Sequence, residues 1–271
     1  MRAGILYGLH TLTQKFDELR SRNEKALVLF LTAGDQPLDQ LPQILLALQE
    51  GGADVIEVGI PFSDPFGEGP TIQASSQRSL DRGTTPREIL RVLGTTSLDI
   101  PVVTMGYYNP ILRTGLDEFT RLSAEAGVTG TIVSDLIPDE SDDWGAACAK
   151  NGLETIFLVA PTSTDTRIQS VAKRSTGFVY AVSRTGVTGA ENAVPPEIGD
   201  LIAKVRALTD KPVCVGFGIS SPAHVKLVCQ TADGAVVGSA LVDRLHRDWN
   251  GGAGRESLIQ FVRELKDATA H

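Results

Sequence analysis

The sequence predicts an α/β chain folded as a single-domain (β/α)8 TIM barrel with an extra N-terminal helix. Three observations carry that reading: eight short apolar, β-branched runs, longer amphipathic segments between them, and no linker dividing the series. Strands apolar on both faces, each followed by a helix, belong in a parallel sheet covered by helices. Eight such units in about 250 residues match the count and length of a closed barrel. From pattern alone the alternative is a doubly wound open sheet.

The elements follow in order. Leu12 to Arg22 reads as a helix ahead of the first strand, placed to cap the bottom of a barrel that begins near residue 24. The strand runs are "ALVLFLT" from Ala26, "DVIEVGI" from Asp54, "PVVTMGY" from Pro101, "TGTIVSD" from Thr129, "ETIFLVA" from Glu154, "GFVYAVS" from Gly177, "PVCVGF" from Pro212 and "DGAVVGS" from Asp233. Between them, "LDQLPQILLALQEGG", "GLDEFTRLSAEAGV", "SDDWGAACAKNG", "DTRIQSVAKRS" and "IGDLIAKVRALT" place apolar residues at helical spacing. A last helix is expected over about Glu256 to Ala268. No stretch is rich enough in Pro, Gly or Ser to act as a linker, so residues 1–271 are expected to form one domain.

Composition narrows the partners. A net charge of −8 and a pI near 5.1 argue against nucleic acid and anionic membranes, which need a basic face. No apolar run approaches the roughly 20 residues of a membrane span, and the N-terminus lacks the apolar core and cleavage site of a signal peptide. The expected compartment is the cytoplasm, or the plastid stroma for a eukaryotic source. Cys148, Cys214 and Cys229 form no CxxC pair, and the four histidines lack ligand spacing, so no metal site is expected.

In such a barrel, chemistry sits at the C-terminal ends of the strands. The second strand ends in "VIEVGIPFSDPFGEGP", with Glu57 inside the apolar run and Asp64 and Glu68 in the loop behind it. Glu57 has two readings: a buried charge neutralised by a structural Arg or Lys, or a general acid–base whose pKa burial raises. "GFGISSP" leads through Gly216 and Gly218 into a helix start with Ser220 or Ser221 as N-cap and Pro222 in its first turn. "VVGSALV" repeats the device with Gly238 and Ser239, and barrels often hold phosphate between these two loops. Lys25 and Lys211 flank N-terminal strand ends, which disfavours Schiff-base chemistry.

The motifs "FLTAGDQ", "EVGIPFSDP", "GEGPTIQ", "MGYYNPI", "FVYAVSRTGVTGAE", "VGFGISSP" and "VVGSALV", in this order along nearly the whole chain, resemble the tryptophan synthase alpha subunit family. The resemblance implies a barrel that cleaves indole-3-glycerol phosphate to indole and glyceraldehyde 3-phosphate without a cofactor. It further implies an αββα complex whose beta subunit carries pyridoxal phosphate. The alternatives are a weakly active structural or allosteric partner of the beta subunit, and a free-standing indole-3-glycerol-phosphate lyase.

By the same resemblance, Glu57 matches the catalytic glutamate that exchanges protons at indole C3, and Tyr180 matches a tyrosine beside it. Glu68 occupies the place of an aspartate that polarises the indole N–H, one methylene longer, and Phe66 is bulkier than the usual residue. Phe30, Met105, Ile132, Leu158 and Phe217 match the walls of the indole pocket. Gly189, Gly218, Gly238 and Ser239 match phosphate contacts. Thr188 falls in the loop that closes over substrate. Asp64, Asn109 and Asp135 match positions tied to loop closure and the subunit interface.

Overall fold

In the computed structural model, which describes residues 11–182, 196–216 and 218–270, eight parallel strands pair in sequence order and close on themselves through β1 and β8. The strands are β1 (Ala26–Thr32), β2 (Val55–Gly59), β3 (Val102–Gly106), β4 (Gly130–Val133), β5 (Glu154–Val159), β6 (Val179–Val182), β7 (Val213–Gly216) and β8 (Gly234–Val237). The closed barrel, and not the open sheet, is the outcome. Closure satisfies every strand edge, and the unbroken burial of β1 shows why its sequence carries no polar face.

Twelve α-helices are present among the described residues. The expected first helix is α1 (Leu12–Ser21), and α2 (Leu41–Gly51), α6 (Leu116–Glu125), α7 (Asp142–Lys150), α8 (Asp165–Arg174), α9 (Pro196–Arg206) and α12 (Arg255–Asp267) follow the amphipathic segments. Further helices are α3 (Pro70–Asp81) and α4 (Pro86–Leu93), between β2 and β3, and α5 (Tyr108–Thr114), shortly after β3. The "GFGISSP" and "VVGSALV" segments open α10 (Pro222–Cys229) and α11 (Ser239–Asp248). Ser221 caps α10 by accepting the His224 amide, with Pro222 in the first turn.

Two layers of apolar packing result from the period-two alternation of the strands. Leu27, Leu29, Ile56 and Val58 face outward into the helices, while Val28, Val55, Val103, Ile132 and Ile156 fill the barrel. The barrel's bottom is closed by α1. Its N-cap Thr11 forms a reciprocal capping box with Gln14. Glu154, at the start of β5, accepts the Leu12 amide at 2.7 Å and the Thr13 hydroxyl at 2.9 Å. Leu12 reaches so far under the strands that a Cβ on Gly177 would sit 2.7 Å from its Cδ1 and would have to displace it.

Candidate active site

Alternation along β2 aims Val55, Glu57 and Gly59 into the barrel, and Glu57 pairs in register with Phe30 and Val103. Its side chain is fully buried, and neither carboxyl oxygen has a hydrogen-bond partner among the described residues. Among the described residues no Arg or Lys pairs with it. Burial first, and the nearby Glu68 second, push its pKa from 4.5 up to about 8. A carboxyl group in this state holds a proton at neutral pH and can release it.

Above Glu57, a small pocket opens at the C-terminal ends of β1 to β4. Phe30, Met105, Ile72 and Tyr107 supply apolar and aromatic walls, and Glu68 and Ser134 bring polar groups. Gly59 leaves room for the Phe30 ring, since a Cβ there would lie 2.6 Å from it. Glu68 also has its pKa raised by burial. Its backbone is set by a turn, with its amide donating to Pro65 O at 3.0 Å, and by the Gln73 side chain, which donates to Glu68 O at 2.8 Å.

The acidic loop is fastened to its neighbours. The Gly67 amide donates to the Tyr107 hydroxyl at 3.0 Å. The Tyr107 ring stacks on Phe62, with centroids 5.1 Å apart, and meets the edge of Phe66 at 5.4 Å. At the base of the same loop, Asp35 after β1 holds Arg78 of α3 in a two-pronged ion pair, with Nη2 at 3.0 Å. The Thr32 and Ser75 hydroxyls, 2.6 Å apart, add a second tie.

Tyr180 rises from β6 inside the barrel. Its ring crosses so close to β7 that a Cβ on Gly216 would lie 2.3 Å from the hydroxyl. Burial, then Glu57 and Glu68, keep that hydroxyl protonated far past neutral pH. Ile132 is fully buried in the barrel interior, and half-buried Leu158 packs against the same cluster. Gly238 sits at the mouth beside Phe30, and exposed Ser239 is the first residue of α11. Gly218, with φ of +73°, takes a left-handed turn that favours glycine. Thr188, Gly189 and Phe217 lie outside the described residues.

The three positions expected in loop closure and the interface lie outside the pocket wall. Asp64 is exposed and accepts the Ser63 hydroxyl at 2.7 Å. Asp135 accepts the Tyr108 amide at 2.8 Å, which anchors the start of α5. Asn109 is exposed on that helix. Sequence reasoning had not singled out Tyr107, Phe62 or Ser134. The usable signal was spacing, because Tyr107 and Ser134 each stand two residues past an inward residue, Met105 and Ile132.

A closed parallel barrel with an unpaired buried acid at a C-terminal strand end, beneath an aromatic pocket, defines an enzyme of the (β/α)8 class. The pattern of the tryptophan synthase alpha chain family matches residues 16–270. The tryptophan synthase alpha chain of Geotalea uraniireducens is 46% identical over 253 residues, covering 93% of this chain and 94% of the relative. The solved alpha subunit from Legionella pneumophila superposes with a TM-score of 0.87 at 31% identity, covering 95% of this chain and 97% of that one. A chain of Mycobacterium tuberculosis tryptophan synthase gives 0.87 at 40% identity, covering 96% and 98%. The chain belongs to the tryptophan synthase alpha chain family, and with it to tryptophan biosynthesis.

Proposed function

We propose that the chain is a lyase that cleaves indole-3-glycerol phosphate to indole and glyceraldehyde 3-phosphate by acid–base chemistry, with no cofactor of its own. The observation that carries this is Glu57, an unpaired buried carboxyl with a pKa near 8 beneath a flat-walled pocket that also holds Glu68. Protonated Glu57 delivers its proton to indole C3, and the ring becomes an iminium. Glu68 accepts the ring N–H and stabilises that positive charge. The carboxylate left on Glu57 takes up the side-chain hydroxyl proton, the C–C bond breaks to form the aldehyde, and the electron pair returns to the ring. Tyr180 stands by as a protonated hydroxyl. Gly218, Gly238 and Ser239, with Thr188 and Gly189, are assigned to the phosphate, and Phe30, Met105, Ile132, Leu158 and Phe217 to the indole.

The partner in this reading is a tryptophan synthase beta subunit, in an αββα assembly where pyridoxal phosphate belongs to beta. Asp64, Asn109 and Asp135 are assigned to loop closure and that contact. A free-standing lyase is the second reading, favoured by the contact of Gly67 with Tyr107, which holds the Glu68 loop from within the chain. Indole release by the purified chain, alone and with a beta subunit, tests both. Release that climbs steeply with beta supports the subunit reading, and fast release from the chain alone supports the second. No release under either condition overturns the lyase.

A further inference from the structure

Ser134 directly follows β4, and its amide extends the ladder by donating to Gly106 O at 2.9 Å. It stands two residues beyond Ile132, an interior residue, so its side chain points into the barrel mouth. Its hydroxyl oxygen is buried and has no hydrogen-bond partner among the described residues, and the residue forms part of the wall that Glu68 shares. On the same wall the Thr32 hydroxyl is paired with Ser75 and the Tyr107 hydroxyl accepts the Gly67 amide. The neighbouring Asp135 anchors α5, so the loop does not need the serine for its shape. A buried hydroxyl left unpaired costs stability, and such a group in a pocket points to a partner that arrives with the ligand.

We propose that Ser134 is a specificity-determining residue whose hydroxyl hydrogen-bonds the nitrogen-bearing edge of the bound bicyclic ring, beside Glu68. This rests on the indole-site reading above. A hydroxyl oxygen accepts, so the single ring N–H is shared between the serine oxygen and the Glu68 carboxylate in a three-centre bond. A site built around such a bond rejects a ring of the same shape that lacks the donor, because the polar groups are then left unpaired. The serine thus sharpens selection for an N–H heterocycle at the expense of the unliganded fold.

The test compares binding of indole and of benzofuran, an isosteric ring with oxygen in place of N–H, to the wild-type chain and to Ser134→Ala. The wild type is expected to prefer indole. Ser134→Ala is expected to weaken indole by about 5-fold, the worth of one neutral hydrogen bond, and to leave benzofuran unchanged. Its thermal midpoint, without ligand, should equal or exceed that of the wild type, since an unpaired hydroxyl has been removed. Equal loss for both rings, no loss for either, or a lowered midpoint would overturn the proposal by showing a packing role. If the wild type binds neither ring, the indole-site reading fails and this proposal falls with it. Indole binding that ignores the serine overturns this proposal alone.

Discussion

The Tyr107 hydroxyl accepts the Gly67 amide at 3.0 Å, so a residue after β3 holds the backbone one position before Glu68. Burial, as the largest cause, lifts the Tyr107 pKa to about 12, and the hydroxyl stays neutral through the working range. Tyr107→Phe keeps the ring contacts with Phe62 and Phe66 and removes only this acceptor. Turnover is expected to fall by about 10-fold or more, because small misplacements of a reacting group are costly. Steady-state kinetics should show the loss in kcat with little change in KM.

Glu57→Gln keeps the shape of the side chain and removes its proton. Indole release should drop at least about 100-fold, the usual lower range for a general acid–base, with substrate affinity largely kept. Stability should move the other way. The folded pKa of about 8 lies above 4.5, so the stability contributed by this group is complete below pH 4.5 and is lost as pH rises through 8. By linkage the variant should exceed the wild type at pH 9 by on the order of 4 kcal/mol. Denaturant melts at pH 5 and pH 9 would show the gap opening.

The two carboxyl groups are coupled, since Glu68 raises the Glu57 pKa. Glu68→Gln removes that charge, so the alkaline limb of the pH–rate profile should move below its wild-type position near pH 8. The overall rate should fall as well, for want of an anionic acceptor for the ring N–H. An unmoved limb in the kcat profile would separate Glu68 from Glu57.

Gly216→Ala would place a methyl group 2.3 Å from the Tyr180 hydroxyl. Overpacking of this kind costs about 1–3 kcal/mol, so the thermal midpoint and indole release should both decline. Adding Tyr180→Phe removes the clashing oxygen and should restore part of the stability. Differential scanning fluorimetry on the single and double variants reads this directly.

At Gly238 the geometry is permissive, because a Cβ there meets Phe30 at an ordinary 3.7 Å. Gly238→Ala should therefore fold normally. KM for the phosphorylated substrate should rise about 10-fold if this loop cradles phosphate through its backbone. Indole binding should be unaffected.

The barrel was legible because its strands are buried on both faces: β1 matches its apolar run from Ala26 to Thr32 residue for residue. Helix α3 was not legible, because its buried face carries Ser75, Ser76 and Ser79, of which Ser75 pairs with Thr32 at the end of β1 and Ser79 donates to Ala33 O, so the helix lacks an apolar stripe. Helix α5 is seven residues long with Pro110 inside it, too short for a periodic signal. Glu57 stood out as a charge in an apolar strand. Tyr107 and Ser134 did not, since an aromatic or a serine after a strand is ordinary until its partners, or the want of them, are seen.

The plug formed by α1 has a consequence for the order of assembly. Leu12 and Thr13 are translated early, yet the carboxylate that receives them, Glu154, follows 142 residues later. Through that interval the apolar side of the helix has no seat, and the nascent chain must tolerate Leu12, Phe16 and Leu19 in the open. Such distant contacts slow folding and lengthen exposure to aggregation. The base of this barrel is therefore sealed late, by a segment that left the ribosome well before its seat.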